Sequence, residues 1–477
     1  MNIDSLIIII YILGVFYLAY RAGKSVKTDS TDQKTQVSEQ YMAGKSLTFT
    51  ESICSILATE VSALTFLGIP AFAFNLDFSF VQIYMGAIIG RFLIAKVFLP
   101  RIYDKGLTIY EIMNDSPLRG GRRAVATFYS IAKILSVGVR LFSGSILIAK
   151  FLDTNMYTAL ALVTLITFLY TLIGGLKAVV RTDIMQLGLF LSGGILAHFL
   201  IPQTFDTSWF ELMSYAYTHE KTSFINFSNP TGFIIGFVGG ILFDMATHGV
   251  DQDFAQRLMA NRSLKKAQLA IFLSSFFSIM IGFIFLGIGA LLWATYKGNL
   301  PTGVENADHL FSYFIVNHFP SGIRGLMVSG VLAATMSTLD STINALCATL
   351  YNDILPKRDA HKLKFYALID NAFITILLFT IAVIASQNDG LLLLGLKVQS
   401  WTAGPLVGLF MAKVLFKNFF PAKLSPTLVI GAYATGATGV FINTQILEWS
   451  WNFNVYWGCL LSMIFVKIFS SLRRETP

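Results

Sequence analysis

Residues 334–341 read Ala-Thr-Met-Ser-Thr-Leu-Asp-Ser and lie inside a long apolar segment that continues to about residue 351. In this stretch Ser337, Asp340 and Ser341 have the i, i+3, i+4 spacing that places side chains on one face of a helix. A row of hydroxyls with a carboxylate is costly in lipid unless something polar binds there. Hard cations prefer oxygen ligands, as calcium does. The stretch therefore predicts a cation site near the middle of a membrane.

The composition also indicates a membrane protein. Of 477 residues, 55% are hydrophobic and only 13% are charged, whereas a soluble domain carries about 25% charged residues. The net charge of +8 would suit nucleic acid in a soluble protein, but here the basic residues fall in loops and act as topology signals. The three cysteines lie in separate apolar segments without metal-binding spacing. We therefore expect a multi-pass protein of the cell inner (plasma) membrane, monomeric, without a nucleic-acid partner or a transition metal.

Apolar runs long enough to cross about 30 Å of hydrocarbon recur along the whole chain. Because lipid-exposed backbone must satisfy its own hydrogen bonds, these runs are predicted to be helices. The thirteen predicted transmembrane helices are residues 3–20, 48–74, 79–100, 124–150, 156–174, 179–202, 231–252, 267–296, 322–351, 364–386, 390–416, 424–444 and 449–470.

Lysine and arginine alternate between successive loops, which predicts the orientation. The loops at 21–45 and 101–123 carry five each, and the group from Arg257 to Lys266 adds four. The loops of the other parity are nearly bare, with none in 75–78 and one in 203–230. Because basic loops stay on the cytoplasmic side, the N-terminus is predicted outside, the C-terminus inside, and the span count odd.

Two spans carry signals of interruption at matching positions. The second contains residues 59–62, Thr-Glu-Val-Ser, followed by Gly68 and Pro70, and the seventh contains five glycines around Asp244 and His248. Glycine and proline are common in membrane helices, so either signal alone decides nothing. The second and seventh spans are separated by five positions in the order of spans, which is the offset that a five-plus-five inverted repeat requires. Broken helices in such repeats hold substrates and ions, so Asp244 and His248 are candidate gate or cavity residues.

Charged side chains inside the spans are further candidates. Arg140 lies mid-span, where arginine is expensive and indicates function, and its planar fork suits a carboxylate. That carboxylate belongs either to a substrate or to Glu60, which in turn either holds a substrate hydroxyl or amine or neutralises Arg140. Asp183, at the inner end of the sixth span, either helps to bind a cation or pairs with Arg181 or Lys177. Gln399 in the eleventh span is a further candidate for the cavity wall.

Three stretches resemble the bacterial sodium/solute symporters, a family that includes sodium-coupled sugar, sialic acid, proline and vitamin transporters. They are Gly174-Gly175-Leu176-Lys177-Ala178-Val179-Val180 followed by Thr182, Asp183 and Gln186; the pattern Ala334, Ser337, Thr338, Ser341, Asn344, Asp353 and Ile354; and Ser62, Leu64, Thr65, Phe66, Ile69 and Pro70. The resemblance extends over essentially the whole chain.

The resemblance implies the all-α leucine-transporter fold in one transmembrane domain, residues 1–477. Ten core helices in two inverted repeats would occupy 48–416, after an extra N-terminal helix at 3–20 and before two C-terminal helices at 424–470. It also implies a transporter rather than an enzyme, one that carries a small organic solute inward with one or two Na+ by alternating access. Arg140 favours a carboxylate such as sialic acid or another organic acid, although a sugar or polyol fits too.

Positions can be carried over from the family to this chain. The first sodium site would be formed by carbonyls of Ala58, Val61 and Ala334 with hydroxyls of Ser337 and Thr338. A second sodium site would use Asp183, Ser337, Asp340 and Ser341. The substrate would bind near Glu60, Ser62, Thr65, Phe80, Tyr84 and Arg140. Asp340 stands where serine or threonine is usual, which strengthens a second cation site or makes it protonatable. The alternative function is therefore a proton-coupled symporter that uses Asp340, Asp183 or Glu60.

Overall fold

The computed structural model describes residues 2–24, 33–113, 120–225, 230–355, 362–387, 391–415, 425–449 and 451–472. Its α-helices are α1 Ile3–Lys24, α2 Gln33–Met42, α3 Phe49–Glu60, α4 Ile69–Asn75, α5 Val81–Leu93, α6 Leu99–Ile102, α7 Gly120–Phe151, α8 Met156–Thr204, α9 Trp209–Thr218, α10 Pro230–Asp244, α11 Gln252–Met259, α12 Leu264–Tyr296, α13 Leu310–His318, α14 Ile323–Thr349, α15 Leu363–Ala385, α16 Leu391–Val414, α17 Pro426–Ile442 and α18 Asn454–Leu472. The prediction of an all-α chain is confirmed, and each predicted span overlaps one of these helices.

The helices have the length and polarity of membrane spans. Within the described residues, nine helices can cross a membrane by length and hydropathy, and a bent pair adds a tenth candidate. Helix α8 has 49 residues and would be about 70 Å long if straight, more than twice the hydrocarbon thickness. The thirteen-span layout with an outer N-terminus stays a prediction.

A glycine separates the two spans that were predicted within α8. Gly175 has φ 56° and ψ −157°, a conformation that interrupts the helix and that side chains other than glycine rarely adopt. A Cβ atom there would also lie 2.4 Å from the carbonyl oxygen of Gln40. Gly175 belongs to the stretch that carries the family resemblance, and its role is to turn the chain between the fifth and sixth spans while α2 packs against it.

Helix α14 lies at the centre of the molecule. Nearly all of its side chains are buried, and it packs against α1, α3, α7 and α8. A helix that is enclosed on all sides can carry polar residues only if neighbouring elements satisfy them. The polar stretch at 334–341, from which a cation site was predicted, is therefore surrounded by other helices rather than by lipid.

The N-terminal helix is fastened to the start of α14 by one buried carboxylate. The Asp4 Oδ1 atom accepts hydrogen bonds from the backbone N–H groups of Gly322 (2.6 Å) and Gly325 (2.9 Å). Arg324 donates to Asp4 Oδ2 through Nε at 2.9 Å and Nη2 at 2.7 Å. A carboxylate at a helix N-terminus also interacts favourably with the helix dipole. Asp4 thus caps α14 from a helix more than 300 residues away.

We expect the substitution Asp4→Asn to lower the free energy of unfolding by about 2 kcal/mol, because hydrogen bonds to a charged group are lost and an amide N–H is turned toward Arg324 or a backbone N–H. Thermal unfolding of the purified protein measures the loss. Asp104→Asn is the matched control, since Asp104 forms an exposed ion pair with Lys45 and exposed pairs contribute about 0–1 kcal/mol. Equal effects of the two substitutions would contradict a special role for Asp4.

Candidate functional site

The predicted interruptions in the second and seventh spans are both present. Helix α3 ends at Glu60, Val61 is extended with φ −75° and ψ 123°, and the chain resumes as a wide helical turn at Leu64–Gly68 that leads into α4. The two halves are bent by 61°. In the seventh span, α10 runs through a wide turn at Met245–Gly249, and α11 begins afresh after its N-cap Asp251. Backbone and side-chain oxygens near both breaks are available to neighbouring groups.

The break in α3 lies against the polar stretch of α14. The Ser337 hydroxyl lies 3.2 Å from the Ala58 carbonyl oxygen and donates to Asp183 Oδ1 at 2.5 Å. Thr338 donates to the Ala334 carbonyl oxygen at 3.0 Å. The residues predicted for the first sodium site, Ala58, Val61, Ala334, Ser337 and Thr338, are all buried. Carbonyl and hydroxyl oxygens without a bound cationic side chain fit a hard monovalent cation such as Na+.

The residues predicted for the second sodium site are divided among other partners. Asp183 accepts from Ser337 and also from Ser55 at 2.5 Å, and its Oδ2 lies 3.3 Å from Arg257 Nη2. Ser341 donates to Asp253 at 3.2 Å. Asp340 accepts from the Tyr170 hydroxyl at 2.5 Å, and its Oδ1 is buried without a hydrogen-bond partner among the described residues.

Arg257 is not a loop residue, so its use as a topology signal in the orientation prediction is wrong. It lies in α11, and its side chain is fully buried. It donates to Asp253 Oδ1 at 2.6 Å and to Ser55 at 2.6 Å. The i, i+4 spacing of Asp253 and Arg257 was the available sequence signal that this arginine belongs to a helix. Its guanidinium therefore supplies a positive charge beside Asp183, within the group predicted to bind a second Na+.

Arg91 organises a buried cluster that the sequence did not predict. Its Nη2 donates to Glu60 Oε1 at 2.6 Å and its Nε to Asp244 Oδ1 at 3.2 Å. Its Nη1 donates to the hydroxyls of Ser274 at 2.7 Å and Ser278 at 3.1 Å. The alternative that Glu60 neutralises Arg140 is therefore wrong, because the partner of Glu60 is Arg91. The signal was visible, since an arginine inside the third span is as costly as one inside the fourth.

His248 joins the same cluster in a defined tautomer. Its Nε2 lies 3.1 Å from Arg91 Nη2, and a guanidinium can only donate, so Nε2 is the acceptor. Nδ1 then carries the hydrogen and faces Asp244 Oδ1 at 3.0 Å. The cluster thus joins two carboxylates, from Glu60 and Asp244, to one guanidinium and one imidazole.

Arg140 forms no ion pair with an acidic side chain among the described residues. Its Nη2 donates to the Gln399 side-chain oxygen at 2.8 Å, and its Nε is buried without a hydrogen-bond partner among the described residues. Leaving a buried charged donor unsatisfied is costly. The site therefore favours an incoming acceptor, and a carboxylate matches the fork geometry of the guanidinium.

One cavity of about 110 Å³ collects the predicted substrate and cavity residues. Its wall includes all nine of them, namely Glu60, Ser62, Thr65, Phe80, Tyr84, Arg140, Asp244, His248 and Gln399. Apolar side chains complete it, namely Leu64, Ile69, Ile83, Ala87, Phe243, Phe254 and Leu396, together with Thr247. A largely apolar wall with a few convergent polar groups is typical of a small-molecule site. The break in α3 contributes both to this cavity, through Glu60 and Ser62, and to the neighbouring oxygen cluster, through Ala58.

Comparisons with known proteins agree with this architecture. The sequence model of the sodium:solute symporter family matches residues 40–421. Sodium-coupled monocarboxylate transporter 2 of Bos taurus is 26% identical over 426 residues, which are 85% of this chain and 66% of the relative. The sodium/sialic acid symporter SiaT of Proteus mirabilis is 25% identical over 400 residues, which are 76% of each chain. The chain thus spans slightly less than two thirds of the length of the bovine relative.

The fold has a close structural counterpart. The structure of a substrate-bound, outward-open Na+-coupled sialic acid symporter superposes with a TM-score of 0.86 at 21% sequence identity. The superposition covers 99% of this chain and 98% of that one. The likeness confirms the leucine-transporter fold that the resemblance implied.

Proposed function

Because the chain belongs to the sodium:solute symporter family, we propose that it carries a small organic solute into the cell together with sodium. The observation that carries this proposal is the break in α3. Ala58 contacts Ser337 on one side of the break, while Glu60 and Ser62 line the cavity on the other. An ion that orders this break therefore also orders part of the solute site, and such reciprocal stabilisation is coupling.

We assign sodium to the first oxygen cluster. The ligands would be the carbonyls of Ala58, Val61 and Ala334 and the hydroxyls of Ser337 and Thr338. Sodium there would tie α3 to α14 and favour the outward-facing arrangement. On the cytoplasmic side, low sodium and the membrane potential, worth about 2.3 kcal/mol per charge at 100 mV, would draw the ion off. Rocking of one helix bundle against the other would then release the solute inward.

The contacts support one sodium site over two. At the predicted second sodium site, the guanidinium of Arg257 already supplies a positive charge, because it lies 3.3 Å from Asp183. Asp340 bonds to Tyr170 rather than to Asp183 or Ser341. The proton-coupled alternative finds no support among the relatives compared above, which are named as sodium-coupled.

We propose a carboxylate as the solute. Arg140 would bind the carboxylate, and the opposite wall with Glu60 and Tyr84 would accept or exchange hydrogen bonds with hydroxyl, amine or amide groups at the other end of the molecule. Ser62 and Thr65 would add hydroxyl contacts, and Phe80 would pack against its carbon skeleton. The two sequence relatives are named for monocarboxylates and sialic acid, both of which carry a carboxylate. We place the protein in the inner (plasma) membrane and propose that it acts as a monomer.

The substitution Ser337→Ala tests the sodium site. We expect the sodium concentration for half-maximal uptake to rise about tenfold, because one oxygen contact of roughly 1.4 kcal/mol is removed. Uptake of lactate or N-acetylneuraminate into proteoliposomes at graded sodium concentrations measures the shift. Ser329→Ala is the matched control, since Ser329 is also buried in α14 but, within the described part of the chain, donates to the Gly325 carbonyl oxygen alone.

Two results would contradict the proposal in different ways. Unchanged sodium dependence in Ser337→Ala would remove the site assignment but leave sodium coupling standing. Concentrative uptake by the wild-type protein in sodium-free liposomes, driven by a pH gradient alone, would remove sodium coupling itself.

A further inference from the structure

Helix α7 carries two cationic side chains on one face, Lys133, which is buried, and Arg140, which is half-buried. Lys133 and Arg140 are seven residues apart, which places them on one side of the helix about 10 Å from each other along its axis. Ser136 and Val137 lie on the same face between them, and these four residues line a second, smaller cavity of about 40 Å³. The cavity is thus bordered at each end by a positively charged side chain from one helix.

The smaller cavity adjoins the solute cavity. Arg140, Phe254 and Gln399 belong to the walls of both. Lys133 lies toward the Gly120 end of α7, which the loop charges predict to be cytoplasmic. A solute that leaves the larger cavity inward would therefore pass Arg140 first and reach Lys133 next.

Lys133 is held by two carboxylates that differ in how firmly they are fixed. Its Nζ lies 2.7 Å from Asp251 Oδ2 and 3.0 Å from Asp253 Oδ2. Asp253 is also bound by Arg257 at 2.6 Å and by the hydroxyls of Ser341 and Thr342, each at 3.2 Å. Asp253 is therefore tied to α14 independently of Lys133.

Asp251 has fewer hydrogen-bond partners than Asp253 and lies at the wall of the smaller cavity. Its Oδ1 accepts from the Tyr129 hydroxyl at 2.8 Å and from the backbone N–H of Asp253 at 2.9 Å. Among the described residues, only Lys133 donates to its Oδ2. Asp251 lines the smaller cavity, whereas Asp253 does not. The Lys133–Asp251 bond therefore joins α7 to the N-cap residue of α11 across the inner end of the cavity. It is the contact that a passing anion would meet.

We propose that Lys133 is a second binding station for the solute carboxylate, which it accepts from Arg140 in exchange for Asp251. This inference rests on the proposed transport of a carboxylate. The exchange replaces one carboxylate on the lysine by another, so Lys133 is never left as a buried unpaired charge, which would be strongly unfavourable. Asp253 keeps its bond throughout. Release of Asp251 frees the start of α11 from α7, and the inner path opens only when an anion has arrived.

A purely structural clamp would behave differently, and two substitutions separate the possibilities. Lys133→Gln and Asp251→Asn both break the same ion pair, so a clamp predicts similar consequences. A station predicts opposite ones, because Lys133→Gln removes the group that binds the solute, whereas Asp251→Asn removes its competitor.

The experiment measures efflux of N-acetylneuraminate and lactate from proteoliposomes, with the half-saturation concentration determined from the cytoplasmic face. We expect Lys133→Gln to raise that concentration about tenfold and Asp251→Asn to lower it at least threefold. Lys133→Arg should remain within threefold of wild type, and Arg123→Gln, an exposed position on the same helix, should change nothing. Sodium-dependent thermal stabilisation by the probe should persist in all four variants, since it reports binding at Arg140.

Shifts in the same direction, or no shift in either variant, would overturn the station. If Lys133→Gln fails to fold, the double variant Lys133→Gln, Asp251→Asn decides, because it removes one charge of each sign from the same ion pair. The station predicts weaker cytoplasmic affinity than wild type in this variant, whereas loss of a clamp predicts tighter or unchanged affinity. If the wild-type protein shows no sodium-driven uptake of either probe, the proposed function falls and this inference falls with it. Wild-type uptake together with equal effects of both variants overturns the station alone.

Discussion

Replacing Arg140 by glutamine should abolish sodium-driven uptake of a carboxylate solute. The guanidinium donates to Gln399, and its Nε has no partner among the described residues, so its remaining donors are free for the solute. Two charge-assisted hydrogen bonds of about 1.5–3 kcal/mol each would be lost, which corresponds to a fall in affinity of at least a hundredfold. Arg140→Lys keeps the charge but not the fork, and we expect an intermediate loss. Thermal-shift titrations with N-acetylneuraminate and lactate, with and without sodium, measure the affinity.

The same titrations contain their own control. Sodium alone should raise the unfolding temperature of Arg140→Gln by the same amount as that of the wild-type protein. The reason is that the proposed sodium ligands lie on α3, at its end, and on α14 rather than on α7. Lys150→Gln is the matched charge control, since Lys150 is a partly buried cation in α7 that lines neither cavity. If Arg140→Gln transports its solute with an unchanged half-saturation concentration, the solute carboxylate does not bind at Arg140.

The residues around the cavity could be predicted because each is conspicuous by itself. A glutamate, an arginine or a Gly–Pro pair inside an apolar run is visible without knowledge of its neighbours, because lipid makes such residues costly. The matched offset of the two interrupted spans then predicted that Glu60 and His248 lie at the same substrate and ion site. What the sequence could not supply was the pairing, because the order of the spans allows Glu60 to meet either Arg91 in the third span or Arg140 in the fourth.

The pairing of Arg91 with Asp244 and Glu60 depends on how closely the helices approach each other. Gly86 lets α5 pack directly on α10, since a Cβ atom there would lie 2.1 Å from the Phe237 carbonyl oxygen. This approach brings Arg91, five residues further along α5, against Asp244. The same reasoning explains the second cation site. Asp183 and Asp340 were placed together by position in the family, but Arg257 from α11 and Tyr170 from α8 reach them first, and only the tertiary structure contains those contacts.

Replacing Arg91 by methionine should destabilise the protein more than any other single substitution considered above. Arg91 is fully buried and joins α5 to Glu60 on α3, Asp244 on α10 and Ser278 on α12. Its loss would leave two carboxylates in the interior without a counter-charge. Breaking a buried ion pair in this way costs about 3–5 kcal/mol, which is a large part of the 5–15 kcal/mol by which proteins are typically stable. We therefore expect little folded protein, measured as the monodisperse fraction after solubilisation and by thermal unfolding.

A rescue experiment distinguishes the loss of charge balance from the loss of packing. In the triple variant Arg91→Met, Glu60→Gln, Asp244→Asn, no uncompensated charge remains, so at least half of the lost stability should return even though solute binding does not. Arg101→Met is the matched control, because Arg101 is exposed and its contact among the described residues is a hydrogen bond to the Val97 backbone carbonyl oxygen. It should cost less than about 0.5 kcal/mol. If the triple variant is no more stable than Arg91→Met, the guanidinium holds the four helices by its hydrogen bonds and volume. Charge compensation at the cavity wall would then not be its role.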